Sequence, residues 1–175
     1  HLDFAWVSAM AYVYLANRHH ARLVATPVYR GDVVCRACLI VGAGDHRTRS
    51  ITDLGGRVFA YSDPFSLTGR LVPQMALREA GQDPSTFFRK TFFTATPQNV
   101  IEAVVAGLAD AGSVDSYVWE SAMLSRPRLA TQLRLVSQSA PYGFPPIVAS
   151  RSASDSEVRS MQQALVQLGQ TPAGM

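Results

Sequence analysis

Apolar positions along this chain follow two repeats: short continuous or alternating runs that suit strands, and longer stretches with an apolar face every three to four residues. Residues 2–8 read as a strand ending in small residues, and 9–17 as a helix with Ala9, Val13 and Ala16 on one face. A strand at 23–29 and a turn at 30–32 lead into an apolar run at 33–41. After a glycine-containing loop at 42–46 and a helical turn at 50–57, the run 57–61 reads as a buried strand. Residues 62–65 are turn chemistry, and 68–80 predict a helix that Gly81 and Pro84 stop. A helical turn at 84–88 and a strand at 91–94 follow. Thr96 caps and Pro97 opens the next helix, whose apolar face is Val100, Ile101, Val104, Val105 and Leu108. Residues 109–114 form a small-residue strand, and Asp115 begins a helix through Tyr117, Trp119 and Met123. Strands at 133–137 and 146–149 and an amphipathic helix at 155–168, with Val158, Met161, Leu165 and Leu168 on its face, close the chain.

Alternating strands and helices argue for an α/β fold with mainly parallel sheets. Ligands in such folds bind beyond the carboxyl ends of strands. Ser8, Ser62, Ser66, Thr68, Thr94, Thr96 and Asp115 all fall at such ends. The stretch 59–80 stands out, because Ser66, Thr68 and Gly69 sit where a strand hands over to a helix N-terminus. The first backbone N–H groups there lack intrahelical partners and the helix dipole is positive, which suits an anion. A plain helix cap explains the same hydroxyls. Arg70 in the first turn opposes the dipole unless an anion is bound; otherwise it points to solvent.

Composition narrows the function classes. The 175 residues are 47% hydrophobic and 17% charged, which is globular rather than disordered. The net charge is only +3, Lys90 is the single lysine, and the arginines are scattered. No basic stripe marks a nucleic-acid partner. No apolar run is long enough to span a membrane, so direct membrane insertion of this segment is not expected. Cys35 and Cys38 form a Cys-x-x-Cys spacing, but they lie in a strand run rather than at a helix start, and read as buried structural thiols. His19 and His20 lack metal-ligand spacing, so neither a metal nor a cofactor is expected. The loop 42–46 has neither the dinucleotide fingerprint nor the P-loop lysine. Asp110 and Asp115 read as turn and capping residues, and no nucleophile–base pair argues for an enzyme.

The order and wording of several segments resemble the periplasmic substrate-binding proteins of phosphate, phosphite and phosphonate ABC transporters, a type II periplasmic-binding-protein group. Asp3-Phe4-Ala5-Trp6, Leu39-Ile40-Val41 and the segment 51–60 carry the resemblance, with Ser62-Asp63-Pro64-Phe65-Ser66-Leu67-Thr68-Gly69 and Leu71-Val72-Pro73 strongest. It continues through 101–112 and Val114-Asp115-Ser116-Tyr117. The resemblance implies two α/β lobes joined by a strand hinge, with an oxyanion between them. Lobe one would hold 1–40 and, on the return, 115–175; lobe two would hold 41–114. The family normally has a strand–helix–strand portion ahead of Asp3, which implies that the N-terminal part of lobe one is missing. A signal peptide or anchor would also lie outside this chain.

In the family, a Ser-Thr-Ser-Gly type motif and helix N–H groups grip the phosphoryl oxygens. The matching residues are Ser66, Leu67, Thr68 and Gly69, so Leu67 keeps only its backbone N–H. Ser8, Thr96, Asp115 and Tyr117 complete the expected ligand set. Cys35 and Val7 stand where aminophosphonate binders have tyrosines, Pro97 replaces a histidine, and Tyr117 and Pro145 replace acidic residues. A cationic ligand tail would thus be buried without a partner. The resemblance implies extracytoplasmic capture of phosphonate, phosphite or phosphate and delivery to an ABC permease. The same module serves elsewhere as the input domain of a signalling protein, and an enzyme of related fold, as in thiamine-precursor synthesis, ranks behind both.

Overall fold

The structure, a computed structural model, describes residues 2–169. The first half of the chain forms β1 (Phe4–Trp6), α1 (Ala9–His19), β2 (Arg22–Ala25), β3 (Val34–Cys35), β4 (Ala37–Gly42), β5 (Val58–Tyr61) and α2 (Val72–Glu79). There follow β6 (Lys90–Phe93), α3 (Pro97–Val105), β7 (Ala111–Asp115), α4 (Ser116–Ser125) and α5 (Leu129–Gln132). The chain then forms β8 (Leu133–Gln138), β9 (Tyr142–Gly143), β10 (Ile147–Ala149) and α6 (Asp155–Leu168). A 3-10 turn at Ile51–Leu54 precedes β5, and a π-helical turn at Leu67–Leu71 runs directly into α2.

Two compact units result, one from residues 2–33 with 143–169 and the other from 34–142. In the first, β10 lies between β1 and β2, antiparallel to both. Val158, Met161 and Leu165 of α6 pack on a small core of Val24, Ala149 and Ala153, while Leu168, expected on the same face, is half exposed. Ser154 and Glu157 close a capping box at the start of α6, each side chain reaching the other's backbone N–H.

The second unit is a five-stranded sheet in the order β6-β5-β7-β4-β8, covered on both faces. Side chains alternate across a strand. Ile40 and Ala60 therefore join Val100, Ile101, Val104 and Val114 on the α3 side, while Leu39, Val41, Phe59 and Tyr61 join Leu54, Leu77 and Phe88 on the other. Burial on both faces explains why the strand runs read as continuously apolar. Gly112 permits the close approach of α3, since a Cβ there would come within 2.3 Å of Val100 Cγ1.

The α/β class stands, but strand directions are mixed. Parallel pairing links β5 to β6 and to β7; β4 runs antiparallel to both β7 and β8, so the mainly parallel sheets expected from the alternation are half parallel here and antiparallel in the smaller unit. The physical reason lies in how β4 enters the sheet: it follows the short β3 directly, with no helical crossover before it, and runs opposite to β7 and β8, which α4 and α5 connect in a common direction. The chain passes between the units at 33/34 and 142/143, so residues 34–40 and 115–142 lie in the larger one. Hydrogen-bonding of β4 between β7 and β8, and packing of α4 on that sheet, keeps both segments in the larger unit.

Candidate functional site

The parallel pairings bring three carboxyl ends to one edge of the larger unit. Register pairs Tyr61 with Phe93 and Ala60 with Gly112, so Ser62 and Thr94, which follow β5 and β6, and Asp115, the last residue of β7, lie at the same end of the sheet. That edge is where a doubly covered sheet leaves backbone groups open to a ligand. Thr94 is fixed there by its own N–H and hydroxyl, both donating to the Tyr61 carbonyl, at 3.0 and 3.2 Å.

The turn after β5 sets up the helix start. Asp63 Oδ1 accepts the Phe65 N–H at 2.8 Å, and the Asp63 carbonyl accepts the Ser66 N–H at 3.2 Å. Ser66 then adopts an extended backbone and its Oγ accepts the Gly69 N–H at 2.9 Å, a cap on a π-wound first turn. Such wider turns are often associated with functional sites. Gly69 sits against the end of β5: a Cβ would fall 2.1 Å from Ser62 Oγ and 2.8 Å from Ser66 Oγ. Only glycine fits there.

Ser66, Thr68, Ser62, Ser113 and Asp115 are all buried. Ser113 Oγ donates to the Thr68 carbonyl at 2.7 Å, and Thr68 Oγ1 donates to Asp115 Oδ1 at 2.7 Å. Ser62 Oγ is buried without a hydrogen-bond partner. An unsatisfied buried hydroxyl costs about 1–3 kcal/mol, a cost that capping of the following helix by Ser66 does not relieve. Burial pushes the Asp115 carboxyl above its ordinary range, partly offset by the Thr68 hydroxyl. The same burial, with Asp115 nearby, pushes the Cys35 thiol up to about 12 and raises the Tyr117 phenol.

Of the expected ligand set, Ser66, Leu67, Thr68 and Gly69 share one helical turn, and Thr68 ties Asp115 to it. Tyr117 lies in the first turn of α4, within electrostatic reach of Asp115. Thr96 caps α3 on the same unit, accepting the Asn99 N–H at 3.2 Å, while Asn99 Nδ2 donates to the Thr94 carbonyl at 2.8 Å. Ser8 belongs to the smaller unit, where it caps α1 by accepting the Ala11 N–H at 3.1 Å.

Asp115 corrects its sequence reading. It occupies the N-cap position of α4 but makes no side-chain cap bond, because its carboxylate turns to Thr68. Asp110 does hold a structural position, accepting the Val58 N–H at 2.8 Å. Arg70 neither points to open solvent nor lies free: it donates to the Pro64 carbonyl at 2.7 Å and sits 5.7 Å from the Phe93 ring centre. Both cysteines are free and buried, and burial pushes the Cys38 thiol up to about 11, so neither is poised for thiolate chemistry. Ser113 was not singled out by the sequence; its only signal is a polar residue in an otherwise apolar, small-residue strand. Among the described residues no His, Cys, Asp or Glu cluster could hold a metal, and no helix is long and apolar enough to cross a membrane.

Comparison with known families decides the kinship. The family profile of the ABC transporter phosphonate periplasmic substrate-binding proteins matches residues 1–175. The chain belongs to this family. A protein of Prochlorococcus marinus assigned as an ABC transporter phosphite binding protein, PhnD1, is 31% identical over 78 residues, 44% of this chain and 26% of that protein. The chain thus aligns with about a quarter of that relative's length. The binding-protein component of an ABC phosphonate transporter from Pseudomonas aeruginosa superposes with a TM-score of 0.87 at 23% identity, over 99% of this chain and 59% of its own. PhnD1 of Prochlorococcus marinus in complex with methylphosphonate gives 0.85 at 19% identity, over 99% and 67%. These likenesses show the type II periplasmic-binding fold, and the family consists of substrate-binding transport proteins rather than enzymes.

Proposed function

We propose that this chain, as part of an extracytoplasmic substrate-binding protein, captures a small phosphorus oxyanion at the Ser66–Gly69 helix start for delivery to an ABC permease. The observation that carries the reading is the buried turn itself. Ser66, the backbone N–H groups of Leu67 and Thr68, and the close-packed Gly69 surround a positive helix end that already holds a partnerless Ser62 hydroxyl. Family membership supports phosphonate, phosphite or phosphate as the ligand class. The role is capture without chemistry, as in the family of substrate-binding transport proteins to which the chain belongs.

Calorimetric titration of the full chain with methylphosphonate, phosphite and phosphate tests the reading. At least one binds, and Thr68→Val, which keeps shape but removes a hydroxyl, weakens it by about tenfold or more. A folded wild-type chain that ignores all three ligands refutes the function. Binding that Thr68→Val leaves unchanged refutes the site.

A further inference from the structure

The basic residues are scattered along the chain, but the fold gathers several at one end of the larger sheet. This is the end opposite Ser62, Thr94 and Asp115. The loop after β4 is its hub. Arg57 Nη1 donates to Asp45 Oδ2 at 2.6 Å. Arg134, near the start of β8, donates to the Asp45 carbonyl at 2.9 and 2.5 Å and to the Thr48 carbonyl at 2.7 Å. In the same loop the Arg47 N–H donates to Asp45 Oδ1 at 3.0 Å, and the Arg49 N–H to Asp53 Oδ2 at 2.8 Å. Backbone bonds bring in the neighbouring strand. The Arg89 N–H donates to the Arg57 carbonyl at 2.9 Å, and Lys90 pairs in register with Val58.

Residues 45–57, 89–90, 109–110 and 133–134 meet at this end and carry six basic side chains against three acidic ones. That excess equals the +3 of the whole chain, so the remaining charges cancel. The three carboxylates are already engaged: Asp45 by Arg57 and Thr48, Asp53 by the N–H groups of Arg49 and Ser50, and Asp110 by that of Val58. Arg47, Arg49, Arg89 and Lys90 are exposed, and among the described residues none of them is in an ion pair. Elsewhere Arg126 is paired with Glu102 and Arg22 with Asp155.

Unpaired cations on adjoining segments repel one another, and an anionic surface reverses the sign of that cost. Their exposure and spread suit an extended array of anions better than a single small ion. The family serves ABC transporters, which places its members beside a lipid bilayer. We propose that this basic end of the larger unit is a docking face for the headgroups of an anionic phospholipid surface, held by charge and without insertion. The inference draws on family membership and does not depend on the oxyanion site, which lies at the other end of the sheet.

The experiment is co-sedimentation of the full chain with vesicles of phosphatidylglycerol and phosphatidylcholine in equal parts, and with vesicles of phosphatidylcholine alone. Ionic strengths of about 0.02 and 0.5 M bring the screening length from about 20 Å down to about 4 Å. Wild type binds the anionic vesicles at low salt at least about tenfold more tightly than the neutral ones, and high salt releases it. Each cation near such a surface contributes about fivefold, so Arg47→Gln, Arg89→Gln and Lys90→Gln together lose about a hundredfold. Arg18→Gln, Arg151→Gln and Arg159→Gln together remove the same charge from exposed positions of the smaller unit and stay within about threefold of wild type. Circular dichroism checks folding, and if a triple variant fails, Arg89→Gln against Arg18→Gln carries the same contrast at about fivefold. Wild type that ignores anionic vesicles at low salt, or binds neutral ones equally, overturns the inference. Equal losses in the two variant sets overturn it too, since the attraction would then be one of net charge alone. None of these results bears on oxyanion capture, which the methylphosphonate titration tests separately.

Discussion

Serine caps the start of α6 in the smaller unit and the start of the π-wound turn in the larger one, and these two helix starts differ in everything except the cap. At Ser154 the hydroxyl and Glu157 satisfy each other's backbone groups, the segment is exposed, and the carboxylate already answers the helix dipole. At Ser66 the turn is buried and π-wound, and nothing acidic lies in the first turn. Ser62 is left without a partner there, and Thr68 is bound to a carboxylate from another strand end. The first is a finished structural joint. The second leaves the Ser62 hydroxyl without a partner, which the proposed oxyanion would supply. A capping serine alone therefore says little about function; what matters is whether its surroundings have already satisfied the helix end.

The largest expected effect that would break this contrast comes from Gly69→Ala. A methyl group 2.1 Å from Ser62 Oγ must displace buried neighbours, so denaturant unfolding should show a loss of about 2–3 kcal/mol, together with loss of oxyanion binding. Adding Ser62→Gly removes the nearest atoms in conflict, leaving Ser66 Oγ at 2.8 Å, and should restore part of the stability; no restoration would mean the turn is held by something other than its fit against Ser62.

Next in size is Asp45, which shows how a part-buried joint stabilises the larger unit without a ligand. Its Oδ2 accepts from Thr48 Oγ1 and Arg57 Nη1, both at 2.6 Å, and Arg134 donates to its carbonyl. Burial alone would raise this carboxyl, but the bonds from Thr48, Arg47 and Arg57 outweigh it and hold the group well below the usual carboxylate range. A depressed folded value contributes stability fully above the unfolded value of about 3.9 and loses it as pH falls through the folded value. Asp45→Asn should cost about 2 kcal/mol at neutral pH, and the gap to wild type should close in urea titrations carried progressively into acid. A gap independent of pH would sever the link to the carboxylate.

The smallest effects sharpen the comparison most directly. Ser66→Ala and Ser154→Ala should each cost about 1 kcal/mol as lost caps. Only Ser66→Ala should also weaken methylphosphonate in calorimetry; equal loss of binding in both variants would make the two helix starts equivalent after all.

Much of this was legible in the chain before folding was considered. Strand runs at 57–61 and 109–114, the helix opening at Thr96-Pro97, and the closing helix at 155–168 all appear within a few residues of their expected places. Period and capping chemistry are local, and local forces set them. The helix at 68–80 was legible as a helix, but its π-wound start was not, since the widened turn depends on Gly69 settling against Ser62 from the strand before it.

Strand direction escaped for a similar reason. Nothing near Ala37 tells β4 to run antiparallel between β7 and β8; that pairing joins residues far apart in the chain. Asp115 is the clearest case. Its sequence position at a helix start suggests a cap, and a cap is all that neighbouring residues could ask of it. Its partner, Thr68, lies 47 residues away, and only the parallel register of β5 and β7 brings the two within 2.7 Å.

By itself the sequence determined the α/β class, most of the elements, the family's order of segments, and the helix start at Ser66 as a place suited to an anion. Each of these follows from periodicity, turn chemistry or unpaired N–H groups within a few neighbouring residues. Tertiary structure alone decided that the place is buried, that Ser62 lies against Gly69 and Ser113 bonds the Thr68 carbonyl there, and that the Thr68 hydroxyl donates to Asp115. A hydrogen bond's direction depends on which groups are finally brought together, and that is fixed only when distant strands share a sheet.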